Sequence, residues 1–458
     1  MANLKNYNSV VLLFCFSALL LTACISDDVG EDTDGLTQAG FPEVTTRTVA
    51  TSDQGTSVEA GGTVVNTGGS AIIARGVCWS TQPNPSIENE TTMEGTGEGP
   101  FVSSVTGLEP NTRYYLRAYA TNKNGTNYGG EVDFFTAKIY RGNVVLSSQE
   151  EVDSFGAEEY LTIIGNVFIG KNGGSNITNL SALSNLNQIR GDFTIGTYDK
   201  GNPLLTNLNG LEYLALIDTY FLNDFIPKNL IISYNENLEN VDALNGLGYF
   251  NGDLRIYSND KLKNLNGLSR LTTAKRISIS GNDALENING LENITKVDFL
   301  LIGDNPMLTN LNGLRNLPDV IQDISIVRNE SLSDISALSN VTRVKYNLII
   351  TECPEINSLD VFNKITIIGA RLVLIDLGIT NLDSFQLLES LGTEVSEPEV
   401  GYGAYLAMTL TLSDNRNLRD FCGLKELLGT DFAKLIDIQR NAYNPSREDI
   451  VADNCKNI

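Results

Sequence analysis

Few of the side chains that usually carry catalysis are arranged for it in this 458-residue chain. Histidine is absent, which excludes Ser-His-Asp and Cys-His catalysis and any zinc or copper site built on histidine. Hydrolysis would therefore depend on carboxylates. Asp253, Asp283, Asp304 and Glu330 lie in predicted turns without a repeated paired arrangement. We predict no catalytic group, metal site or cofactor.

One cysteine has a sequence context that favours covalent modification. Cys24 follows Leu21-Thr22-Ala23, which closes an apolar run from Val10. A positive N-terminal segment, an apolar run and small residues before the cut define a secretory signal. This arrangement resembles bacterial lipoprotein signal peptides, which implies a signal at residues 1–23 and an acylated Cys24. The alternatives are an ordinary cleaved signal or a membrane-spanning helix, but a run of about twelve residues is too short to span a bilayer.

An acidic segment follows Cys24. Residues 24–40 include Asp27, Asp28, Glu31, Asp32 and Asp34 and have little to bury, so we expect a disordered tether. The acidic run resembles the surface-export signal of lipoproteins from Bacteroides-type bacteria. That resemblance implies an outer-membrane protein that faces outward. A linker on the periplasmic face is the alternative.

The four remaining cysteines show no metal-ligand spacing. Cys78 and Cys353 lie in apolar strand patterns and are predicted to be buried thiols. Cys422 and Cys455 lie in an atypical C-terminal segment that is predicted to cap the fold, and an oxidising compartment would allow them to pair. Pro445 followed by Ser446 predicts a short helix in this cap.

The net charge limits the partners. The chain has 56 Asp and Glu against 32 Lys and Arg, a formal charge of −24, so phosphate-rich polymers would be repelled. We exclude nucleic acid and expect a monomer. The length allows two or three domains.

Residues 41–137 are predicted to form a small β-sandwich. Alternating apolar strands are separated by turn residues such as Gly61-Gly62 and Asn124-Gly125. The segment from Leu108 to Tyr114 resembles the tyrosine corner of fibronectin type III domains. This resemblance implies that Trp79 fills the core and that the domain acts as a spacer.

A repeat of 23 to 24 residues dominates residues 160–458, with residues 138–159 predicted as a linker and N-terminal cap. An asparagine recurs in step after a short β-like segment, at Asn235, Asn259, Asn282, Asn305 and Asn329. A fixed period of this length predicts a solenoid whose coils share one core. About ten or eleven coils would stack to about 50 Å. Cys353 takes the position of the asparagine one repeat after Asn329.

The pattern L-x-I-x-x-N-x-x-L-x-x-L-x-G-L resembles leucine-rich repeats, and in particular the receptor L domain. The fold class implied is mainly β: a fibronectin type III-like sandwich followed by a right-handed leucine-rich β-solenoid. Unlike ordinary leucine-rich repeats, the sequence has no convincing helix in each repeat. Flanking Cys-rich modules are also absent, so receptor-like signalling is not implied.

Two insertions interrupt the repeat and are candidate binding loops. The first, Ala215 to Asn229, contains Tyr220, Phe221 and Phe225; the second, Glu389 to Thr409, contains Tyr402 and Tyr405. Exposed aromatic rings in these loops could stack on sugars or anchor a protein. Equally, the rings could fold back over the solenoid.

The strand row provides a second candidate surface. The outward position in successive coils is occupied by Arg255, Ser278, Leu301, Ser325, Ile349, Val373 and Thr411. Leu301, Ile349 and Val373 are predicted to form an apolar patch that Val327 and Ile375 extend, as interaction sites often do. Alternatively, β-branched residues occur here because they suit strands.

These observations predict binding of an extracellular glycan or protein by a membrane-anchored chain that is not an enzyme. One alternative is a carboxylate-dependent polysaccharide-degrading β-helix enzyme. The other is a purely structural stalk.

Overall fold

The computed structural model describes residues 40–51, 55–217, 228–392, 410–431 and 435–457. They form a small antiparallel β unit followed by a large parallel β-solenoid. Within these ranges no helix is long and apolar enough to cross a bilayer. Cys24 and the acidic segment lie outside the described residues.

The small unit consists of two antiparallel sheets. One sheet contains Glu43–Thr46, Ala50–Thr51, Val58–Asn66 and Gly99–Val105. The other contains Ala74–Ser80, Glu90–Thr91, Arg113–Asn122, Gly125–Tyr128 and Val132–Phe135. Buried and exposed residues alternate along Gly99–Val105, as they do in a strand with one face in a core.

Both sheets contribute to one hydrophobic core, which includes Val58, Phe101 and Leu116. Tyr114 stacks on a core phenylalanine, and its hydroxyl accepts a hydrogen bond from the Glu109 backbone N–H at 3.0 Å. Trp79 is only partly buried at the margin of this core. The prediction that it fills the core was therefore wrong, because aliphatic and smaller aromatic side chains already occupy the space.

Twelve parallel strands form the long row of the solenoid, and each defines one coil, numbered 1 to 12 in chain order. The strands are Val144–Leu146, Val167–Ile169, Phe193–Gly196, Leu230–Ser233, Asp253–Tyr257, Arg276–Ser280, Phe299–Gly303, Asp323–Val327, Asn347–Cys353, Arg371–Leu377, Leu410–Ser413 and Ile436–Gln439. Apolar residues, mostly Leu and Ile, alternate with more exposed residues, so the strands of coils 1 to 11 have one face in the core. In coil 12, Ile436 and Ile438 are partly buried against the same core.

Shorter strands precede the long strands and form the short row. They are Ile139–Arg141, Thr162–Ile164, Gln188–Ile189, Leu216–Ile217, Tyr249–Phe250, Val320–Ile321, Arg343–Val344, Ile367–Ile368 and Ser390–Leu391. The third side of most coils contains a 3₁₀ turn, as at Ser181–Leu183, Asp242–Gly246, Asn266–Leu268, Asn289–Leu291, Asn312–Leu314, Ser336–Leu338, Asp360–Phe362, Asp383–Phe385 and Cys422–Leu424.

The recurring asparagines form a buried ladder along the stack. Asn202, Asn235, Asn259, Asn282 and Asn305 each donate a side-chain hydrogen bond to the Oδ1 of the asparagine in the next coil, at 2.9 to 3.3 Å. The ladder explains why a polar residue recurs in an apolar core, since every buried polar group needs a partner.

Cys353 is buried in the next position after Asn329, as predicted, and Leu377 follows it in coil 10. Asn415 then resumes the ladder by donating to Asn441 at 3.0 Å.

The first coil begins earlier than the sequence predicted. Ile139–Arg141 pairs with Thr162–Ile164, and Val144–Leu146 pairs with Val167–Ile169, so most of residues 138–159 belong to the solenoid rather than to a linker. Helix α1, Gln149–Gly156, buries Val152 in the solenoid core. The strands of this coil have only three residues each, too few for a periodic signal.

The C-terminal end is closed by two short helices, α2, Lys425–Leu428, and α3, Arg447–Val451. Ser446 caps α3 in a capping box with Asp449. The structure joins Cys422 to Cys455 by a disulfide bond, which ties the segment that follows α3 to the 3₁₀ turn Cys422–Leu424.

Candidate binding surface of the solenoid

The outward face of the long row is a ladder of side chains in strict register. Arg255, Ser278, Leu301, Ser325, Ile349, Val373 and Thr411 lie side by side in coils 5 to 11. All seven are half-exposed. The strand pairing therefore confirms that these seven residues share one outward column, as the sequence predicted.

The structure brings most of the predicted apolar patch together. Ile349 pairs directly with Val373, whereas Ser325 separates Leu301 from Ile349. Val327 and Ile375 lie two positions further along their strands and are also half-exposed. The result is an apolar surface over coils 7 to 10 that Ser325 interrupts in coil 8.

A second column beside this patch was missed by the sequence analysis. It contains Asp253, Arg276, Phe299, Asp323, Asn347 and Arg371, in coils 5 to 10. The Arg276 guanidinium carbon lies 4.7 Å from the centre of the Phe299 ring, within cation–π range. These residues occupy the first position of each long strand, a regular spacing that could have revealed them.

Polar contacts order this column. Asp253 accepts a hydrogen bond from Arg255 at 2.7 Å, and Arg276 approaches the same carboxylate at 3.6 Å. Asn347 donates to Asp323 at 2.6 Å. Burial raises the pKa of the Asp323 carboxyl, and the hydrogen bonds from Asn347 oppose that shift.

The predicted aromatic ligands Tyr220, Phe221, Phe225, Tyr402 and Tyr405 lie outside the described residues. The points where their insertions join the solenoid are described. Residues 218–227 connect Leu216–Ile217 to Leu230–Ser233, and residues 393–409 connect Ser390–Leu391 to Leu410–Ser413. Both insertions therefore join at the corner between the short and the long row.

The turn carboxylates have different surroundings. Arg328 forms two hydrogen bonds with Asp304, at 2.5 and 2.8 Å, so this carboxylate is held in an ion pair. Asp260, which the sequence did not single out, has a raised pKa because of burial and the neighbouring carboxylates Asp283 and Glu236.

The cysteines offer neither a nucleophile nor a metal site in the described part of the chain. Burial raises the pKa of the Cys78 and Cys353 thiols to about 11, which disfavours the reactive thiolate. Asp420 lies close to Cys422 and Cys455, but the disulfide removes both sulfur atoms as metal ligands.

Comparisons with known proteins give little further guidance. No protein-family model and no curated protein matches the chain. Among solved structures, a pectate lyase from Pectobacterium carotovorum is similar at 10% identity, covering 63% of this chain and 86% of the lyase, with a TM-score of 0.16. A pectate lyase from Erwinia chrysanthemi in complex with tetragalacturonic acid is similar at 11% identity, covering 74% and 86%, with a TM-score of 0.16.

Both of these proteins are enzymes. The prediction that the chain is not an enzyme is corrected by this finding, and catalysis is one of the two candidate functions considered below. At a TM-score of 0.16, no substrate, cofactor or residue role can be carried over from the lyases.

Proposed function

We propose that this protein is held at the outer membrane by a lipid on Cys24 and that its solenoid binds an extracellular polymer, a glycan or a protein. The observation that carries the proposal is the apolar row Leu301, Ile349 and Val373 on the outward face, with half-exposed side chains in register. A linear ligand can contact equivalent positions of successive coils, about 4.8 Å apart.

The small antiparallel unit is proposed as a fibronectin type III-like spacer between the anchor and the solenoid. Its two sheets and the hydrogen bond from Glu109 to the Tyr114 hydroxyl support this assignment. The Asn111 side chain donates to the Glu159 carbonyl at 2.8 Å, a direct contact between the spacer and the first coil.

The anchor is tested by Cys24→Ala. We expect this protein to incorporate no fatty acid and to leave the membrane fraction, because the apolar run is too short to span a bilayer. Growth with radiolabelled palmitate measures acylation. Wild-type labelling of the variant would disprove the lipid anchor. Cleavage by external proteinase on intact cells tests the outward orientation, and full protection would place the protein on the periplasmic face.

Polymer binding is tested by Val373→Asn, with Val145→Asn as the matched control. Both valines occupy the same outward column, but Val145 lies in coil 1, away from the patch. We expect Val373→Asn to weaken binding to immobilised glycans or proteins about tenfold, since interface residues that matter contribute about 1 kcal/mol or more. Equal binding by the two variants, with unchanged melting temperatures, would contradict the proposal.

Cleavage of the bound polymer is the second candidate function. Glu236, Asp260 and Asp283 each follow a ladder asparagine in coils 4 to 6, and this row of neighbouring carboxylates favours it. Incubation of the full-length protein with each polymer that it binds, followed by assay of new chain ends, decides between binding alone and cleavage.

A further inference from the structure

Charge is divided between the two edges of the long row in coils 6 to 10. We define the basic edge as residues 273–276, 296–299, 320–323, 343–347 and 367–371, which lead into the long strands. It contains six basic and two acidic residues. The acidic edge, residues 281–284, 304–307, 328–331, 352–355 and 376–379, follows the same strands and contains six acidic residues and one basic residue. The basic edge therefore has a net positive charge, whereas the whole chain has a net negative charge.

The cations of the basic edge are accessible. Lys275, Lys296 and Lys345 are exposed, and Arg276, Arg343 and Arg371 are half-exposed. Asp323 accepts a hydrogen bond from Asn347, and Arg276 lies 3.6 Å from the Asp253 carboxylate of coil 5. The ranges of the basic edge carry a net charge of +4, from six basic and two acidic residues.

The two edges can act independently. A long strand such as Arg276–Ser280 has five residues, and at about 3.3 Å per residue it separates the edges by about 15 Å. The Debye length at physiological ionic strength is about 8 Å. A ligand on the basic edge is therefore largely screened from the acidic edge.

The basic edge also places flat apolar groups beside its cations. Arg276 lies over Phe299 in coils 6 and 7, and in coil 9 the Lys345 ammonium lies 4.8 Å from the centre of the Tyr346 ring. Gln322 lies in coil 8, between these two units along the stack, and Asn347 directly follows Tyr346 in coil 9. Cations can pair with carboxylates, rings can contact the C–H face of a sugar, and amides can bond hydroxyl groups.

We propose that the basic edge binds a polysaccharide that carries carboxylate groups, aligned with the stacking direction of the coils. This assignment rests on the proposed polymer-binding function and names the chemical class of the ligand. Five coils at about 4.8 Å each place cations over about 19 Å, a spacing suited to a linear polymer with repeated charges.

An acidic protein is the competing ligand, and the repeated placement of the cations argues against it. Protein interfaces usually depend on a few anchors that fill pockets. The basic edge instead carries its cations in coils 6, 7, 9 and 10, along one side of the long row, which suits a chain of sugar carboxylates.

The test uses the full-length protein in detergent and alginate, a polyuronate, as the probe. We expect wild-type protein to bind alginate. Methyl esterification of its carboxyl groups should weaken binding about tenfold, and so should the double substitution Lys345→Gln with Arg371→Gln, because each change removes ion pairs between the edge and the polymer. Raising the NaCl concentration should weaken binding to alginate but not to its ester.

The matched control is Lys261→Gln with Lys263→Gln, which removes two exposed lysines that follow the long strand of coil 5, beyond its acidic end. Wild-type affinity of the Lys345 and Arg371 variant, equal binding of alginate and its ester, or no binding of alginate would overturn the assignment. Tighter binding of poly-L-glutamate than of alginate would assign the edge to an acidic protein instead. If a neutral glycan is bound and Val373→Asn weakens that binding, this inference fails while the proposed function stands.

Discussion

Replacing Leu311 by aspartate is expected to unfold several neighbouring coils together. Leu311 is fully buried and directly precedes the 3₁₀ turn Asn312–Leu314. Its backbone N–H donates a hydrogen bond to the backbone carbonyl of Asp334 in the next coil, at 3.1 Å. A carboxylate there would be buried without a cationic partner, which costs several kcal/mol. Because neighbouring coils share one core, the loss should spread beyond coil 7.

Met307→Asp is the matched control, because Met307 lies four residues earlier in the same coil and is 54% exposed. Urea unfolding followed by circular dichroism measures the free energy of unfolding. We expect a loss of about 4 kcal/mol or more for Leu311→Asp and little change for Met307→Asp. Similar unfolding curves for both variants would mean that the inward register is wrong.

The long row could be predicted from the sequence because each strand repeats the same inward pair. Leu300 and Ile302, for example, are buried in register with Ile277 and Ile279. A period of 23 to 24 residues with a fixed apolar pair and a following asparagine specifies one coil. The same repetition placed Leu301, Ile349 and Val373 on the outward face.

The short row and the 3₁₀ turns could not be predicted, because strands of two residues such as Val320–Ile321 give no measurable periodicity. The left-handed backbone conformation of the residue that precedes each ladder position was also missed by the sequence analysis. Ser258, Asp304, Arg328 and Glu352 have φ between 52° and 55°, a left-handed conformation that usually selects glycine. Glycine occupies the equivalent position before Asn202 and Asn282, as Gly201 and Gly281, but not in most coils, so the sequence gives no consistent signal for this conformation.

The basic edge was hidden for two reasons. The net charge of −24 is a sum over the whole chain, so it does not show that one group of residues is positively charged. In addition, coils 9 and 10 have one more residue between the short and the long strand than coil 8. Arg371 and Arg276 therefore align only when the paired register of the strands is known.

Asn305→Ala should destabilise the asparagine ladder strongly, because Asn305 lies inside it and bonds to both neighbouring coils. Asn305 accepts hydrogen bonds from the backbone and side-chain N–H groups of Asn282, each at 3.2 Å. It donates to the Ile279 and Gly303 carbonyls at 3.1 and 2.8 Å and to Asn329 at 3.3 Å. Truncation leaves several buried groups without a partner, at about 1–3 kcal/mol each.

We expect Asn305→Ala to lower the free energy of unfolding by about 3 kcal/mol and to increase amide hydrogen exchange in coils 6 to 8. Asn293→Ala is the matched control, because Asn293 is exposed and its side chain donates a single hydrogen bond, to Ser269 at 2.7 Å. Loss of that bond should cost about 1 kcal/mol or less, because water replaces the partner. If Asn305→Ala and Asn293→Ala have equal effects, the ladder does not stabilise the stack, and the recurring asparagine serves only to end each strand.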